Sequence, residues 1–257
     1  SLRRLDLFSY NEFLSFTHKP AGEQAVNEFL SRGAFPGLIK TGHTEALHQL
    51  YTEILCKDAI IAGGIRDRNT LQRMALHLIT NTGEPVTANK LREKLKIKAV
   101  STAAEHMQCI ETAGLVRFVS ILSDNPARQA VNPRKVYAVD TALAAAVSTA
   151  ETVDRNKLFE TMLFNHLCRE SRSVCYTNEQ GGCDFIASDA EGGVRCIQAC
   201  YDDDPDLMQT KTDGLLWALR QTGASRGTIV TADRNDRIDA ENFEIEVIDA
   251  DTFLGGY

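Results

Sequence analysis

The chain has 257 residues, 43% of them hydrophobic and 25% charged, with a formal net charge of −7. That composition is ordinary for a globular protein with a sizeable core, and at about 150 residues per domain it allows roughly two domains. No apolar run approaches the roughly 18 residues of a membrane span and no signal peptide opens the sequence, so the expectation is a cytoplasmic protein with no membrane partner.

The charge is unevenly placed. Residues 1–65 carry 6 basic and 7 acidic side chains, residues 66–137 carry 12 and 6, and residues 138–257 carry 10 and 22. A basic middle between a neutral and an acidic neighbour is a candidate surface for phosphate or nucleic acid. The seven cysteines, at 56, 109, 168, 175, 183, 196 and 200, are odd in number and form no CxxC pair. They read as reduced core residues, with a zinc site among the four between Cys175 and Cys200 as the sharper alternative.

In chain order, Ser9 and Glu12 form a capping box at the start of a helix, with Phe8 and Phe13 placed as a hydrophobic staple. A helix start so well marked at the first residues suggests that something precedes it. A second helix over 22–32 stops at Gly33 and leads into the turn Ala34-Phe35-Pro36-Gly37. A third, over 45–61, repeats Leu47, Leu50, Tyr51, Ile54 and Leu55 at helical period and stops at Gly63-Gly64. The pattern GxxxxGK[ST] occurs nowhere in the 257 residues, so this polypeptide has no phosphate-binding P-loop.

The basic segment has the order of a winged helix. One helix carries Leu71, Met74, Ala75 and Leu78, a second is capped by Thr87 and ends among lysines, and a third over 99–112 turns Val100, Ala103, Met107 and Ile110 inward. Strands over 115–122 and 134–139, joined by a polar loop, would be the wing. The third helix opens Ala-Val-Ser-Thr-Ala-Ala, which offers little for reading base edges. Phosphate contact remains open to Lys90, Arg92, Lys94, Lys96, Lys98, Arg128, Arg134 and Lys135, against the plainer possibility of a solvated basic face used for protein contact.

The acidic segment alternates helix and strand. Asp154 caps a helix over 155–170, a strand follows over 173–177, and Cys183–Ala187 and Val194–Tyr201 read as a hairpin. A helix over 207–221 and strands over 226–231 and 244–248 complete an α/β sheet with helices against it. On the second hairpin strand Cys196, Gln198 and Cys200 share one face and Ile197 and Ala199 the other. Asp184 and Gln198 are the polar anomalies, and Glu160 stands at the edge of the stripe Leu163, Phe164 and Leu167. A carboxylate on one strand with polar groups two residues apart on the next is how nucleases of the restriction-endonuclease fold hold a divalent ion. Glu160 would join Asp184 as a metal ligand, or else serve only as a first-turn acid favoured by the helix dipole.

Taken together, these stretches resemble the C-terminal portion of a family of prokaryotic AAA-type P-loop ATPases, in which a winged helix precedes a domain of unknown function with the restriction-endonuclease-like fold. The matching residues are Leu7 to Leu14, Gly33-Ala34-Phe35-Pro36, Lys57-Asp58, Ile65-Arg66-Asp67, Glu111 to Val116, Lys135 to Asp140, Glu160, Cys183-Asp184-Phe185 and Ile197-Gln198-Ala199. No one of these is specific, but the ordered set spans nearly the whole chain. The resemblance implies an α+β protein of three parts: a helical segment over 1–65, a winged helix over 66–150 and an α/β restriction-endonuclease-like domain over 151–257. It implies an ATPase core upstream that would hold ATP and magnesium, and no cofactor in this chain unless it is a nuclease, when Glu160 and Asp184 would hold magnesium with Gln198 assisting. Two departures argue that such a site is degenerate: Gly182 stands where the family has Glu, and Cys200 where an active enzyme needs Lys. A thiol with an ordinary pKa near 8.5 cannot replace a permanent positive charge beside a reacting phosphate. The expected partners are therefore double-stranded DNA or a protein, with metal-dependent DNA cleavage as the alternative.

Overall fold

In the computed structural model, residues 7–256 are described apart from 40–43, 62, 124, 126, 128, 130, 131, 149–153, 180, 203 and 241. Helix α1 (Tyr10–Thr17) begins on the expected capping box, Glu12 N–H donating to Ser9 Oγ at 3.2 Å and Ser9 N–H to Glu12 Oε2 at 2.7 Å. The two staple residues each gain a further ring partner. The Phe8 ring lies 5.1 Å from Phe16, while Phe13 lies 5.1 Å from Phe29 because α2 (Glu23–Arg32) draws it into the core. After α3 (Pro36–Ile39), α4 (Thr44–Ile54) runs into a π-helix over Leu55–Ile61 instead of continuing as α-helix. The wider turn brings Leu55, Ala59 and Ile60 into the core together.

Helices α5 (Arg68–Thr80), α6 (Ala88–Leu95) and α7 (Val100–Thr112) follow, with α6 capped as expected by Thr87 Oγ1 accepting from Lys90 N–H at 3.1 Å. They pack beside a small antiparallel sheet in the order β1-β3-β2, made by Pro85–Val86 (β1), Val116–Val119 (β2) and Arg134–Ala138 (β3). Ala103, Met107 and Ile110 are buried, but Val100 is 44% exposed and does not join them, because it is the first residue of its helix. The stretch Glu111 to Val116 is explained by its geometry. Gly114 takes the left-handed conformation (φ 77°) that ends α7, and Glu111 Oε1 accepts Phe118 N–H at 3.1 Å, aligning β2. A short helix α8 (Thr141–Val147) follows, and its alanine-rich sequence carries no polar-apolar contrast to announce it.

The rest is a mixed α/β unit. Its elements are α9 (Arg155–Glu170), β4 (Ser173–Thr177), β5 (Cys183–Ser188), β6 (Val194–Cys200), α10 (Pro205–Thr222), β7 (Arg226–Thr231), β8 (Asp236–Ala240), β9 (Phe243–Asp249) and α11 (Ala250–Gly255). The six strands are ordered β4-β5-β6-β7-β9-β8; the β6-β7 and β7-β9 pairs are parallel and the others antiparallel. Strand alternation sorts the faces as the sequence predicts: Phe185, Ile197 and Ala199 join the cluster that includes α9, while Cys196 and Cys200 join Leu215 and Leu219 of α10.

The two sheets are joined rather than merely adjacent. Leu122 N–H donates to Tyr176 O at 2.7 Å and Tyr176 N–H to Ser120 O at 3.2 Å, carrying β2 onto the edge strand β4. One cluster of buried side chains extends from Tyr10 to Leu254, through all three stretches that the sequence separates. Among the described residues no helix is long and apolar enough to cross a membrane.

Candidate functional site

Two lysines, two carboxylates and a tyrosine meet where β3, α9, β5 and α10 converge. Lys135 Nζ lies 2.8 Å from Glu160 Oε1 and 3.1 Å from Asp184 Oδ1, bridging them. Lys211 Nζ holds the other Asp184 oxygen at 2.5 Å, and Tyr137 donates its hydroxyl to Glu160 Oε1 at 2.6 Å. Asp184 Oδ2 also accepts Ala199 N–H at 3.1 Å. The four charged side chains are each 10–19% exposed and their charges cancel.

Elementary electrostatics accounts for the protonation states. Burial alone would push the Asp184 carboxyl up, but Lys211 and then Lys135 outweigh it and hold it well below the ordinary carboxylate range. Burial likewise opposes the charge on Lys135, and Asp184 and Glu160 more than restore it. Lys211 is raised by the same balance, chiefly through Asp184. Tyr137, fully enclosed and facing two carboxylates, is pushed well above its usual value and stays a donor.

Gln198 is fully engaged. Its Oε1 accepts Asp184 N–H at 3.1 Å, and its Nε2 donates to Gly182 O at 2.8 Å and Lys211 O at 3.0 Å. The side chain thus ties β5, β6, the turn before β5 and α10 together, with no polar atom left over. Gly182 has φ 78°, and a Cβ there would lie 2.8 Å from Thr177 O, so a glutamate at this place would strain the turn. Cys200 is buried on the α10 face, where burial raises its thiol, and the lysine that reaches Asp184 comes from α10 as Lys211.

As arranged, these residues do not fit a divalent cation. Both Asp184 oxygens and Glu160 Oε1 already accept from cations or other donors, Gln198 Oε1 is taken, and no negative charge is left uncompensated. Among the described residues no three His, Cys, Asp or Glu side chains converge as a ligand set, and the seven cysteines are free thiols, buried or half-buried. Lys135 and Lys211 were the members that residue patterns missed: the first reads as part of a basic strand, and the second sits on a helix with nothing to distinguish it.

The basic residues divide by environment. Lys90, Lys94, Lys96 and Lys98 are exposed on α6 and just beyond it, Lys96 closing the helix in the left-handed conformation (φ 58°). Arg92 is half-buried and bonded to Asn89 and Glu93. Arg134 lies over the Phe118 ring at 4.5 Å, whereas Lys135, its neighbour on β3, points into the Glu160–Asp184 carboxylate pair. Arg128 lies outside the described residues.

The molecule is thus a mixed α/β protein with a charge-neutral polar cluster at the junction of its two sheets. The chain belongs to the family described as Domain of unknown function (DUF8612), whose sequence pattern matches residues 23–154. The matched stretch contains Lys135 and Tyr137 but neither Glu160 nor Asp184. No curated protein and no solved structure matches the chain.

Proposed function

We propose that this chain is a recognition part of an AAA-type ATP-binding protein, contacting double-stranded DNA or a protein partner through α5–α7 and the small sheet, which act as a winged helix. The six-stranded sheet would be a restriction-endonuclease-like domain that has given up catalysis. The observation that carries this reading is the neutralised cluster. Lys135 and Lys211 occupy the carboxylates that a nuclease would offer to a metal, and buried charges so paired hold elements together. ATP and magnesium would belong to a core elsewhere in a longer protein.

Four exposed lysines around α6 favour phosphate contact over base reading. The test is binding of this chain to labelled duplex DNA across a salt series. Affinity should fall steeply with salt, and replacing Lys94, Lys96 and Lys98 by Gln should weaken binding and flatten the salt slope by about 3. Absence of binding at low salt would remove the DNA reading and leave the protein partner.

A second reading, metal-dependent DNA cleavage, draws support from Lys211, which restores a lysine beside Asp184 despite Cys200. It requires Lys135 to withdraw from Glu160 and Asp184. Cleavage with magnesium or manganese that disappears in Asp184→Asn would establish it and overturn the non-catalytic reading.

A further inference from the structure

Three stretches far apart in sequence meet around one cavity. Phe8 N–H donates to Ala34 O at 2.9 Å, and Ala34 N–H donates to Asp140 Oδ2 at 2.6 Å, so the N-terminal segment, the turn after α2 and the end of β3 are stitched in series. Gly33 makes the approach possible: a Cβ there would lie 2.4 Å from the Asp140 carboxylate. The cavity beside this seam has room inside for a few water-sized groups (60 Å³), and counted out through its mouth the empty space reaches 610 Å³.

Its lining is divided in character. Phe29, Met162 and Leu254 supply apolar wall, and Arg117 of β2 and Arg169 of α9 supply cationic wall. Neither guanidinium is well compensated. Arg117 stands near enough to the Cys168 thiol to lower it against the raising effect of burial, and among the described residues it forms no ion pair with a carboxylate. The carboxylate nearest to Arg169 is Glu12 at 3.9 Å, beyond hydrogen-bond reach and already held by the Ser9 cap. Asp140, the one acid in the lining, has its oxygens taken by the N–H groups of Ala34 and Leu143. A concave, mostly apolar surface with a few converging polar groups is the usual form of a small-molecule site.

We propose that this cavity binds a small ligand with an anionic head, carboxylate or phosphate, on an apolar body, the head on Arg117 and Arg169 and the body against Phe29, Met162 and Leu254. The site is separate from the Lys135 cluster and does not depend on whether the chain contacts DNA.

The test is calorimetry on the full 257-residue chain. Phenyl phosphate and phenylacetate serve as probes, with inorganic phosphate and benzyl alcohol as controls that keep only the charge or only the ring. Both features should be needed, so that at least one probe binds and each control binds about tenfold more weakly or not at all. Preference between the probes tells a phosphate head from a carboxylate head, and either supports the site. Arg117→Met and Arg169→Met should each weaken binding about tenfold, while Arg237→Gln, on the exposed strand β8 and outside the lining, leaves it unchanged. Arg169 lies at the exposed end of α9, so its variant remains informative if Arg117→Met does not fold. No probe binding at millimolar concentration, a control that binds equally well, or binding indifferent to Arg169→Met would overturn the proposal.

Discussion

The carboxylate of Asp140 accepts the main-chain N–H of Ala34, 106 residues earlier, at 2.6 Å, while its other oxygen caps α8 through Leu143 N–H at 2.7 Å. One buried side chain therefore fixes both the turn after α2 and the start of the helix that follows β3. Burial is the larger influence on its acidity and pushes the carboxyl up to about 6, against the lowering effect of the N–H donors.

The sign of the resulting pH dependence follows. Because the folded value lies above the unfolded one, the contribution of Asp140 is full below about pH 4 and is lost as pH rises through about 6, a change on the order of 3 kcal/mol. Asp140→Asn removes that slope. Urea unfolding of both proteins between pH 4 and pH 7 should show wild type losing ground to the variant as pH rises, and parallel curves would refute the assignment.

Asp184 should behave in the opposite way. Its folded value is depressed, so its contribution is full above about pH 4 and is lost as pH falls. The difference in stability between wild type and Asp184→Asn should therefore shrink on acidification below pH 4. A gap that is constant with pH would mean that Lys135 and Lys211 do not hold the ionised form.

Removing one cation from the cluster leaves buried carboxylates undercompensated. Lys135→Met should cost about 3 kcal/mol, and adding Glu160→Gln should recover part of it, because the second change removes the charge that the first one stranded. Chemical denaturation of the two single variants and the double variant gives the coupling. Simple additivity would show that Lys135 and Glu160 do not depend on each other.

Placing a further acid beside Asp184 should fail for a structural reason. Gln198→Glu removes the donors to Gly182 O and Lys211 O and sets oxygens against oxygens, so it should destabilise the protein by about 2 kcal/mol or more at neutral pH. Some of that loss should return as pH falls and the new carboxyl protonates. Gly182→Glu should likewise cost about 1–2 kcal/mol through its positive φ and the close approach to Thr177 O. A melting temperature unchanged in either variant would contradict the packing described above.

Much of the secondary structure was legible in the chain. Ser9 with Glu12, Thr87 and Asp154 mark helix starts by local hydrogen bonds, and β4, β5, β6, β7 and β9 announce themselves by β-prone, apolar runs. Local signals failed where the chain gave no contrast or where a distant element decided the matter. The alanines of α8 have no polar face to read, the exposed strand β8 lacks an apolar alternation, and the π-helix at Leu55 answers to the core it packs on.

The sequence by itself determined that Asp184, Gln198 and Glu160 are polar residues set among apolar ones and that the middle of the chain is basic. Only the tertiary structure decided how those polar groups are satisfied. It turns Lys135 inward, brings Lys211 across from α10 and engages both ends of the Gln198 amide. The reason is physical: a buried charge must find its counter-ion, and which residue supplies it depends on how strands and helices from distant parts of the chain pack, a relation that no local spacing encodes.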